Sequence, residues 1–226
     1  MSAAGRLIFH SQRSIATSVQ RSCAEAYALN EKLFGRGPER VVVVIAHSVA
    51  EWRRACRYYS FPLAKALVLH DGTLVLKSRA LTGYSISNYH KVIIHEMNHV
   101  FWCALFRGRR NVWDPIWLVE GLACLVARNH YLLPLSVLKA RMRRGRKLPL
   151  PYRYTGKILR LASRRELELY YSYWAHFAAW LCQGRLARLV AFTRAFAHRP
   201  TRMGYHQSFE RFFGMSEKTA RRIFAE

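Results

Sequence analysis

The sequence predicts an α+β protein, in which a small N-terminal sheet with helices is followed by a mostly helical C-terminal half. Two observations carry this prediction. Aliphatic runs bounded by turn residues, which are typical of buried strands, fall within the first 80 residues. The later apolar residues recur with helical spacing, and with 51% hydrophobic residues the chain of 226 residues can bury a sizeable core.

The first predicted elements are a helix, a strand and a second helix. Residues 14–34 have helical character and end at a Gly-Arg-Gly-Pro breaker. Residues 41–46 are all aliphatic and predict a buried strand. Ser48 and Glu51 then have the spacing of a capping box, which opens a helix that runs to about residue 59.

A hairpin is predicted after this helix. Two β-rich runs, residues 64–69 and 73–78, flank Asp71 and Gly72. The dipeptide Asp-Gly between two such runs is a strong hairpin signal. The first 80 residues are therefore expected to supply about three strands and two helices beside the element that follows.

The most informative motif is the H-E-x-x-H run at residues 95–99. Its flanks are apolar and lack Pro and Gly, so we predict a helix from residue 87 or 88 to about residue 106. On a helix, residues i and i+4 lie on one face, one turn apart. His95 and His99 can therefore bind the same metal ion, while Glu96 lies close enough to accept a proton from a metal-bound water.

The alternative is that ordinary hydrogen bonds in a core satisfy these two histidines and the glutamate. Three fixed positions make a chance match rare in a chain of 226 residues. Burying three polar groups on one helix without an ion is also costly. The motif therefore favours a metal site.

Glu120 is the candidate third ligand. A helix that includes residues 116–123 is predicted after Asp114 and Pro115, with Asp114 as its cap. Glu120 is the only acidic residue between Asp114 and Glu166, and among apolar neighbours its carboxylate needs a partner such as a divalent cation. Without the H-E-x-x-H motif, Glu120 would fit equally well as a carboxylate stabilised by the helix dipole.

Together these motifs resemble those of the gluzincins, which are zinc metallopeptidases with two histidines and one glutamate as ligands. Here H-E-x-x-H is followed, about twenty residues later, by W-L-x-E-G-x-A at residues 117–123. The closer similarity is to the small peptidase-MA-like domains related to thermolysin and the aminopeptidases. The resemblance continues through residues 170–181 and the F-x-x-x-F-G-x-S segment at residues 209–216, so it covers roughly residues 38–226.

The resemblance implies a thermolysin-like zincin core and a hydrolase activity. It assigns one Zn²⁺ per chain to His95, His99 and Glu120, with a fourth position left for water. It makes Glu96 the base that activates the zinc-bound water for attack on a peptide bond. The implied substrate is a peptide or protein, and both internal cleavage and cleavage from an end stay open.

A tyrosine on the later helix is implied as the donor that stabilises the oxyanion. Tyr171 precedes Phe177 by six residues, as in the family pattern, and is therefore preferred over Tyr170 and Tyr173. The alternative is that Tyr171 is a core or interface aromatic. Asn98 departs from the family, whose members usually carry a small or hydroxyl residue there; the difference removes no ligand and bears on helix packing.

The end of the chain predicts four helices. Their expected ranges are residues 165–183, 185–198, 202–213 and 216–225, the last with Ser216 as its cap. The second of these helices carries an apolar stripe that predicts core packing and not a cofactor site. The stripe comprises Leu186, Leu189, Val190, Phe192, Thr193 and Phe196.

The net charge of +24, from 37 Lys and Arg against 13 Asp and Glu, is extreme for an enzyme. Residues 121–165 contain twelve Lys or Arg and no acid, and we define residues 128–165 as the basic segment. Arginine interleaved with tyrosine fits contact with nucleic acid or an anionic membrane surface. Such segments also form solvated or substrate-lining loops, and no motif for sequence-specific nucleic-acid binding is present.

For organisation, we interpret residues 1–37 as an N-terminal helical extension and residues 38–226 as one zincin-like catalytic domain. The acid-poor first residues fit a leading amphipathic helix better than a transit peptide. Five cysteines, an odd number without a C-x-x-C pair, argue for thiols in a reducing compartment. With no secretory signal and no apolar run of about eighteen residues, we predict a cytoplasmic protein without a transmembrane span.

The sequence thus favours a zinc metallopeptidase and leaves two alternatives. One is a basic polyanion-binding protein on a non-catalytic peptidase fold, although such a fold has no need of Glu96. The other is a protease delivered to polyanion-bound substrates, similar to those that digest protein adducts on DNA. Those proteases usually use a third histidine, and His130 lies 31 residues beyond His99, in a poorer context than Glu120.

Overall fold

We describe a computed structural model of the chain over residues 6–56, 64–106, 115–128, 132–143 and 163–226. It combines a small four-stranded sheet with a mostly helical remainder, which confirms the predicted α+β class. The chain divides into two compact units, Met1–Ala104 and Leu105–Glu226.

The N-terminal unit contains the sheet. Its strands are β1 (Leu7–Ser11), β2 (Val41–Ala46), β3 (Ala66–Val68) and β4 (Leu74–Lys77). Its helices are α1 (Thr17–Phe34), α2 (Val49–Cys56), α3 (Arg79–Thr82) and α4 (Ile86–Leu105). The predicted strand and hairpin correspond to β2 and to β3 with β4, whereas β1 and the short α3 were not predicted.

The strands lie in the order β1-β2-β4-β3. β1 pairs with β2 in parallel, with Leu7 opposite Val41, and β2 pairs with β4 in parallel. β3 is antiparallel to β4, as a hairpin requires. The segment of residues 1–37 therefore contributes a strand as well as the predicted helix.

Both faces of the sheet are covered by other parts of the chain. On one face, Trp52 and Cys56 of α2 pack with Ala46 and Val75 in a buried cluster. On the opposite face, the side chains of the two central strands are also buried. These are Val43 and Ile45 of β2, and Leu74 and Leu76 of β4. A strand buried on both faces has no polar alternation, which is why the β2 sequence is aliphatic throughout.

The local signals in this unit act as predicted. The Ser48 Oγ accepts a hydrogen bond from the Glu51 backbone N–H at 3.1 Å. The Glu51 carboxylate accepts a hydrogen bond from the His47 backbone N–H at 2.8 Å, whereas an ideal capping box would use the backbone N–H of Ser48. This hydrogen bond lowers the pKa of Glu51. In the hairpin, Gly72 has a φ of +83°, a conformation that glycine adopts without strain.

The described part of the C-terminal unit is helical. Its helices are α5 (Ile116–Ala127), α6 (Leu135–Arg143), α7 (Arg164–Cys182), α8 (Leu186–Ala197), α9 (Arg202–Phe213) and α10 (Glu217–Ala225). The four predicted C-terminal helices match α7 to α10 to within about two residues at each end. Ser216 caps α10 as predicted, because its side chain accepts a hydrogen bond from the Thr219 backbone N–H.

Aromatic rings form the core of this unit. Trp117 of α5 contacts Phe177 of α7 at a centroid distance of 5.0 Å and stacks on Phe192 of α8 at 6.4 Å. The Trp117 Nε1–H donates a hydrogen bond to the Tyr205 hydroxyl at 2.7 Å. The apolar stripe of α8 is confirmed as core, since Phe192 and Phe196 are fully buried.

Several predictions fall outside the described residues. These are His130, residues 57–59 of the second helix, and most of the basic segment. The helix α5 begins at Ile116 with Pro115 at its N-cap, so the prediction that Asp114 is the cap is wrong. Among the helices that the structure describes, none has the length and hydropathy needed to cross a membrane. The compartment and the domain limits remain predictions.

Candidate metal centre

The H-E-x-x-H motif lies in the middle of α4, a regular helix of 20 residues. The first turn is capped by Ser85, whose Oγ accepts a hydrogen bond from the Asn88 backbone N–H at 3.2 Å. Apolar residues bury one side of the helix, and Ile93 and Met97 are fully buried. The motif therefore has the helical context that its spacing predicts.

His95 and His99 bring their ring nitrogens together on one face of α4. Their Nε2 atoms are 3.1 Å apart, and their rings meet edge to face at a centroid distance of 4.8 Å. His95 is only 6% exposed, and His99 is partly buried. The spacing of one helical turn thus converges two nitrogen ligands on one small volume.

Glu120 lies on α5, which is buried along almost its whole length. The Glu120 side chain is 4% exposed although it carries a carboxylate. The next residue, Gly121, lies against α7: a Cβ there would be 2.6 Å from the Trp174 carbonyl oxygen and 3.1 Å from the Ala178 Cβ. The glycine therefore allows α5 to pack closely on α7 at the residue that follows Glu120.

The structure groups the three predicted metal ligands. Each of His95, His99 and Glu120 offers one ligand atom, and these atoms all lie within 4.8 Å of one another. Within the described residues no other cluster of histidine, cysteine or acidic side chains meets this condition. A buried group of two imidazoles and a carboxylate could bind a metal ion, which would offset the cost of burying the three polar side chains.

Glu96 lies beside the ligands and is more accessible than His95 or Glu120. It follows His95 on α4, about 100° further round the helix axis. Its side chain is partly exposed. A residue in this position is next to the ligand face without belonging to it, which is what the motif predicts for a base.

Two of the three candidate tyrosines of α7, Tyr170 and Tyr171, contact Trp174, and the third contacts α10. Tyr171 has the helical spacing that places it on the same face as Trp174 and Ala178, the residues that approach Gly121. Its ring contacts Trp174 at 5.4 Å. Tyr173 is instead directed at α10, where it meets Phe224 at 5.6 Å and accepts a hydrogen bond from the Arg221 Nε at 3.4 Å.

Tyr171 and Tyr170 lie three and four residues before Trp174, so helical spacing places both on its side of α7. Tyr170 also contacts Trp174, at a centroid distance of 6.0 Å, and burial raises the pKa of its hydroxyl. These contacts do not distinguish Tyr171 from Tyr170, and the preference for Tyr171 stays a prediction. Its role as an oxyanion donor remains a prediction.

Sequence reasoning missed the partner of Asn98. The Asn98 side-chain amide donates a hydrogen bond to the Asn30 Oδ1 of α1 at 2.8 Å, and both residues are buried. The available signal was the position of Asn30 in an otherwise apolar helical stripe. That stripe comprises Cys23, Ala26, Tyr27, Asn30 and Phe34.

Comparisons with models of known protein families, with curated proteins and with solved structures found no match. The resemblance to the gluzincins therefore depends on the motifs alone.

Proposed function

We propose that this protein is a zinc-dependent peptidase of the gluzincin type, with a thermolysin-like core. His95, His99 and Glu120 would hold one zinc ion, and Glu96 would act as the general base. The observation that supports this proposal most is the grouping of the three side chains, with ligand atoms within 4.8 Å of one another. The H-E-x-x-H motif and the segment that contains Glu120 are separate in the sequence, and neither pattern by itself requires the other to lie nearby.

The distances and the donor types fit zinc. Two imidazole nitrogens bound to one tetrahedral zinc ion, each at about 2.0–2.1 Å, lie about 3.3 Å apart. The His95 and His99 Nε2 atoms are 3.1 Å apart. Two histidines and one glutamate also form the ligand set of a catalytic zinc site, in which the fourth position is free, whereas structural sites are closed by four protein ligands.

The proposed chemistry is the hydrolysis of a peptide bond. A zinc ion held by these three residues would supply Lewis acidity to the substrate carbonyl and to the attacking water. Glu96 would accept a proton from that water as the water oxygen bonds to the carbonyl carbon. Glu96 then donates the proton to the amine that leaves when the C–N bond breaks.

Two other residues have proposed roles in this reaction. The Tyr171 hydroxyl donates a hydrogen bond to the carbonyl oxygen as negative charge develops on it. Gly121 holds α5 close to α7, so that Glu120 and Tyr171 belong to adjacent helices with a defined spacing. The partial exposure of Glu96 supports its assignment as base, because a base needs contact with water and substrate.

The first experiment measures bound metal. Purified wild-type protein and the Glu120→Ala variant are compared by elemental analysis, with Glu210→Ala, an exposed glutamate of α9, as the matched control. We expect about one zinc ion per chain in the wild type and the control, and sharply less in Glu120→Ala. A wild type that holds no zinc, even after zinc is added to the folded protein, would overturn the proposal.

The charge distribution favours one further function, the binding of a polyanion. The C-terminal unit, Leu105–Glu226, has 24 Lys and Arg against 7 Asp and Glu. Two of these acids, Glu120 and Glu217, are buried and add little negative charge to the surface. Such a surface attracts nucleic acid and anionic lipid.

Binding of a labelled DNA duplex of random sequence tests this second function. We expect affinity at low salt that is lost by 0.5 M salt, because counterion release drives such binding. The Glu96→Gln variant is the control, since it leaves the basic residues unchanged. Absence of binding at low salt would reject the second function and leave the zinc site unaffected.

A further inference from the structure

Asn98 flanks the ligand face of α4 on the side opposite Glu96. At 100° per residue, His95 and His99 are about 40° apart around the helix axis. Asn98 lies about 60° to one side of this pair, and Glu96 about 60° to the other. The two flanks differ in environment, because Glu96 is partly exposed and Asn98 is 1% exposed.

The Asn98 flank packs against α1 within the N-terminal unit. Phe101, one turn after Asn98, packs its ring against Tyr27 and Phe34 of α1, with ring centroids 5.1 Å and 5.8 Å apart. Asn30 lies between Tyr27 and Phe34 on the α1 stripe and is fully buried. The Asn30–Asn98 hydrogen bond of 2.8 Å is therefore a polar contact in a largely apolar interface between two helices.

Hydrogen bonding holds this pair in one arrangement. The Asn30 amide donates to the Ala26 backbone carbonyl of its own helix at 2.9 Å, which directs the Asn30 Oδ1 at the Asn98 amide. The Asn98 Oδ1, however, accepts no hydrogen bond from the described residues although it is buried. Such an unsatisfied buried oxygen is about as costly as one hydrogen bond is favourable, so the pair adds little net stability.

A buried polar pair that adds little stability can still specify how two helices fit together. An asparagine in the apolar seam of a coiled coil sets the register in this way, because any other register separates the two polar groups. In α4, a displacement by one residue would turn the helix by about 100° and place Met97 or His99, instead of Asn98, opposite Asn30.

We propose that the Asn30–Asn98 pair is a positioning device for the metal site. It sets the rotation of α4 against α1 and thereby holds the ligand face, with His95 and His99, in one orientation. The purpose assigned to the pair depends on the proposed zinc site, although the contact itself does not. Asn30 and Asn98 are positioning residues, since neither is a metal ligand.

The test replaces both residues by leucine, which has as many side-chain heavy atoms as asparagine. The Asn30→Leu/Asn98→Leu variant is titrated with Co²⁺, whose visible absorption reports the geometry of its ligands, and its thermal unfolding is measured without metal. We expect unfolding at the same or a higher temperature, because a paired polar contact is replaced by an apolar one. We expect Co²⁺ to bind about tenfold more weakly and with an altered spectrum, because a rotation of α4 about its axis moves both histidine nitrogens.

Controls separate positioning from packing. Phe34→Leu removes ring contacts at the same interface and leaves the polar pair, so we expect lower stability with unchanged Co²⁺ affinity. If the two leucines prevent folding, Asn30→Ala/Asn98→Ala removes the pair without added bulk, and we expect the same loss of affinity from it.

Equal Co²⁺ affinity and an unchanged spectrum in the paired variant would overturn the inference while leaving the proposed function intact. A wild type that binds no Co²⁺ or Zn²⁺ would overturn the proposed function, and with it the purpose of the pair.

Discussion

The two helices that carry the candidate ligands are held in different ways. α4 is buried on one side and has partly exposed residues on the other. Within the N-terminal unit it is held by side-chain hydrogen bonds, including Asn98 to Asn30 and the Tyr89 hydroxyl to the Lys77 carbonyl. α5 is buried on all sides except at Leu125. Its place in the C-terminal unit is set by shape, through Gly121 and the ring of Trp117.

Because of this difference, substitutions on the two helices should affect different properties of the protein. On α4, a change on the exposed flank can alter chemistry while the fold remains, because that flank has few packing neighbours. On α5, almost every side chain fills space, so a change affects stability and the ligand together. Substitutions on α4, on α5 and on the other helices of the C-terminal unit should therefore differ in whether they change activity, stability or both.

Glu96→Gln should give the largest effect. The amide keeps the shape of the side chain but cannot accept the proton, so we expect kcat/KM on a peptide substrate to fall by at least about 10²–10⁴-fold. Zinc content and thermal stability should stay at the wild-type values. Cleavage at the wild-type rate would show that Glu96 is not the base.

Tyr171→Phe should lower kcat by about 10²–10³-fold without loss of zinc, the typical cost of removing one oxyanion donor. Tyr173→Phe is the matched control, because the Tyr173 hydroxyl is engaged with Arg221 on the opposite side of α7. Steady-state kinetics with both variants would check this. If the control loses as much activity as Tyr171→Phe, the assignment by helix face is wrong.

Glu217→Gln tests a second buried acid of the C-terminal unit, at the start of α10. Burial raises the pKa of Glu217 from its usual value of 4.5 to about 7; the nearby Tyr205 and Arg221 side chains oppose this shift but do not overcome it. The folded protein thus binds this proton more tightly than the unfolded chain does. Stability is therefore lost as the pH rises from 4.5 to about 7, by at most about 3 kcal/mol.

Glutamine mimics the protonated acid, so the variant should be more stable than the wild type at pH 8 and equal to it at pH 4.5. Thermal unfolding across this pH range measures the difference. No hydrogen bond of ordinary geometry reaches either Glu217 oxygen among the described residues, so the amide loses no partner there. A constant difference at all pH values would contradict the assignment.

Gly121→Ala tests the close approach of α5 and α7. The added Cβ would lie 2.6 Å from the Trp174 carbonyl oxygen, a contact that backbone movement must relieve. We expect a loss of about 1–3 kcal/mol in the free energy of unfolding, measured with denaturant. Zinc affinity should fall as well, since Glu120 is the adjacent residue; an unchanged affinity would mean that the ligand tolerates a shift of its helix.

The parts of the fold that were predicted are those with local signals. The aliphatic run of β2, the Asp-Gly turn and the capping serines act over a few residues, so the sequence shows them directly. β1 was missed because it has only three apolar residues, Leu7-Ile8-Phe9, and depends on a partner more than thirty positions away. Parallel pairing of β1, β2 and β4 likewise leaves no short-range signature.

The residues of the candidate site, like these elements of the fold, could be named only where a local pattern marks them. His95, Glu96 and His99 follow from the period of one helix, and Glu120 from an isolated acid in an apolar helix, which explains why these residues could be named in advance. The choice of Tyr171 over Tyr170 and Tyr173 came from its spacing to Phe177 and stays a prediction, since Tyr170 and Tyr171 both contact Trp174. Asn30 could not be linked to Asn98, because their contact spans 68 positions and two helices.

The burial of α5 also bears on how fast its backbone amide protons exchange with solvent. Amide protons of a helix enclosed on all sides exchange only when the surrounding structure opens, with a free energy that approaches that of global unfolding. We therefore expect the amides around Glu120 to be among the slowest to exchange in the C-terminal unit. The carboxylate that completes the proposed ligand set would then stand on one of the most persistent elements of the molecule.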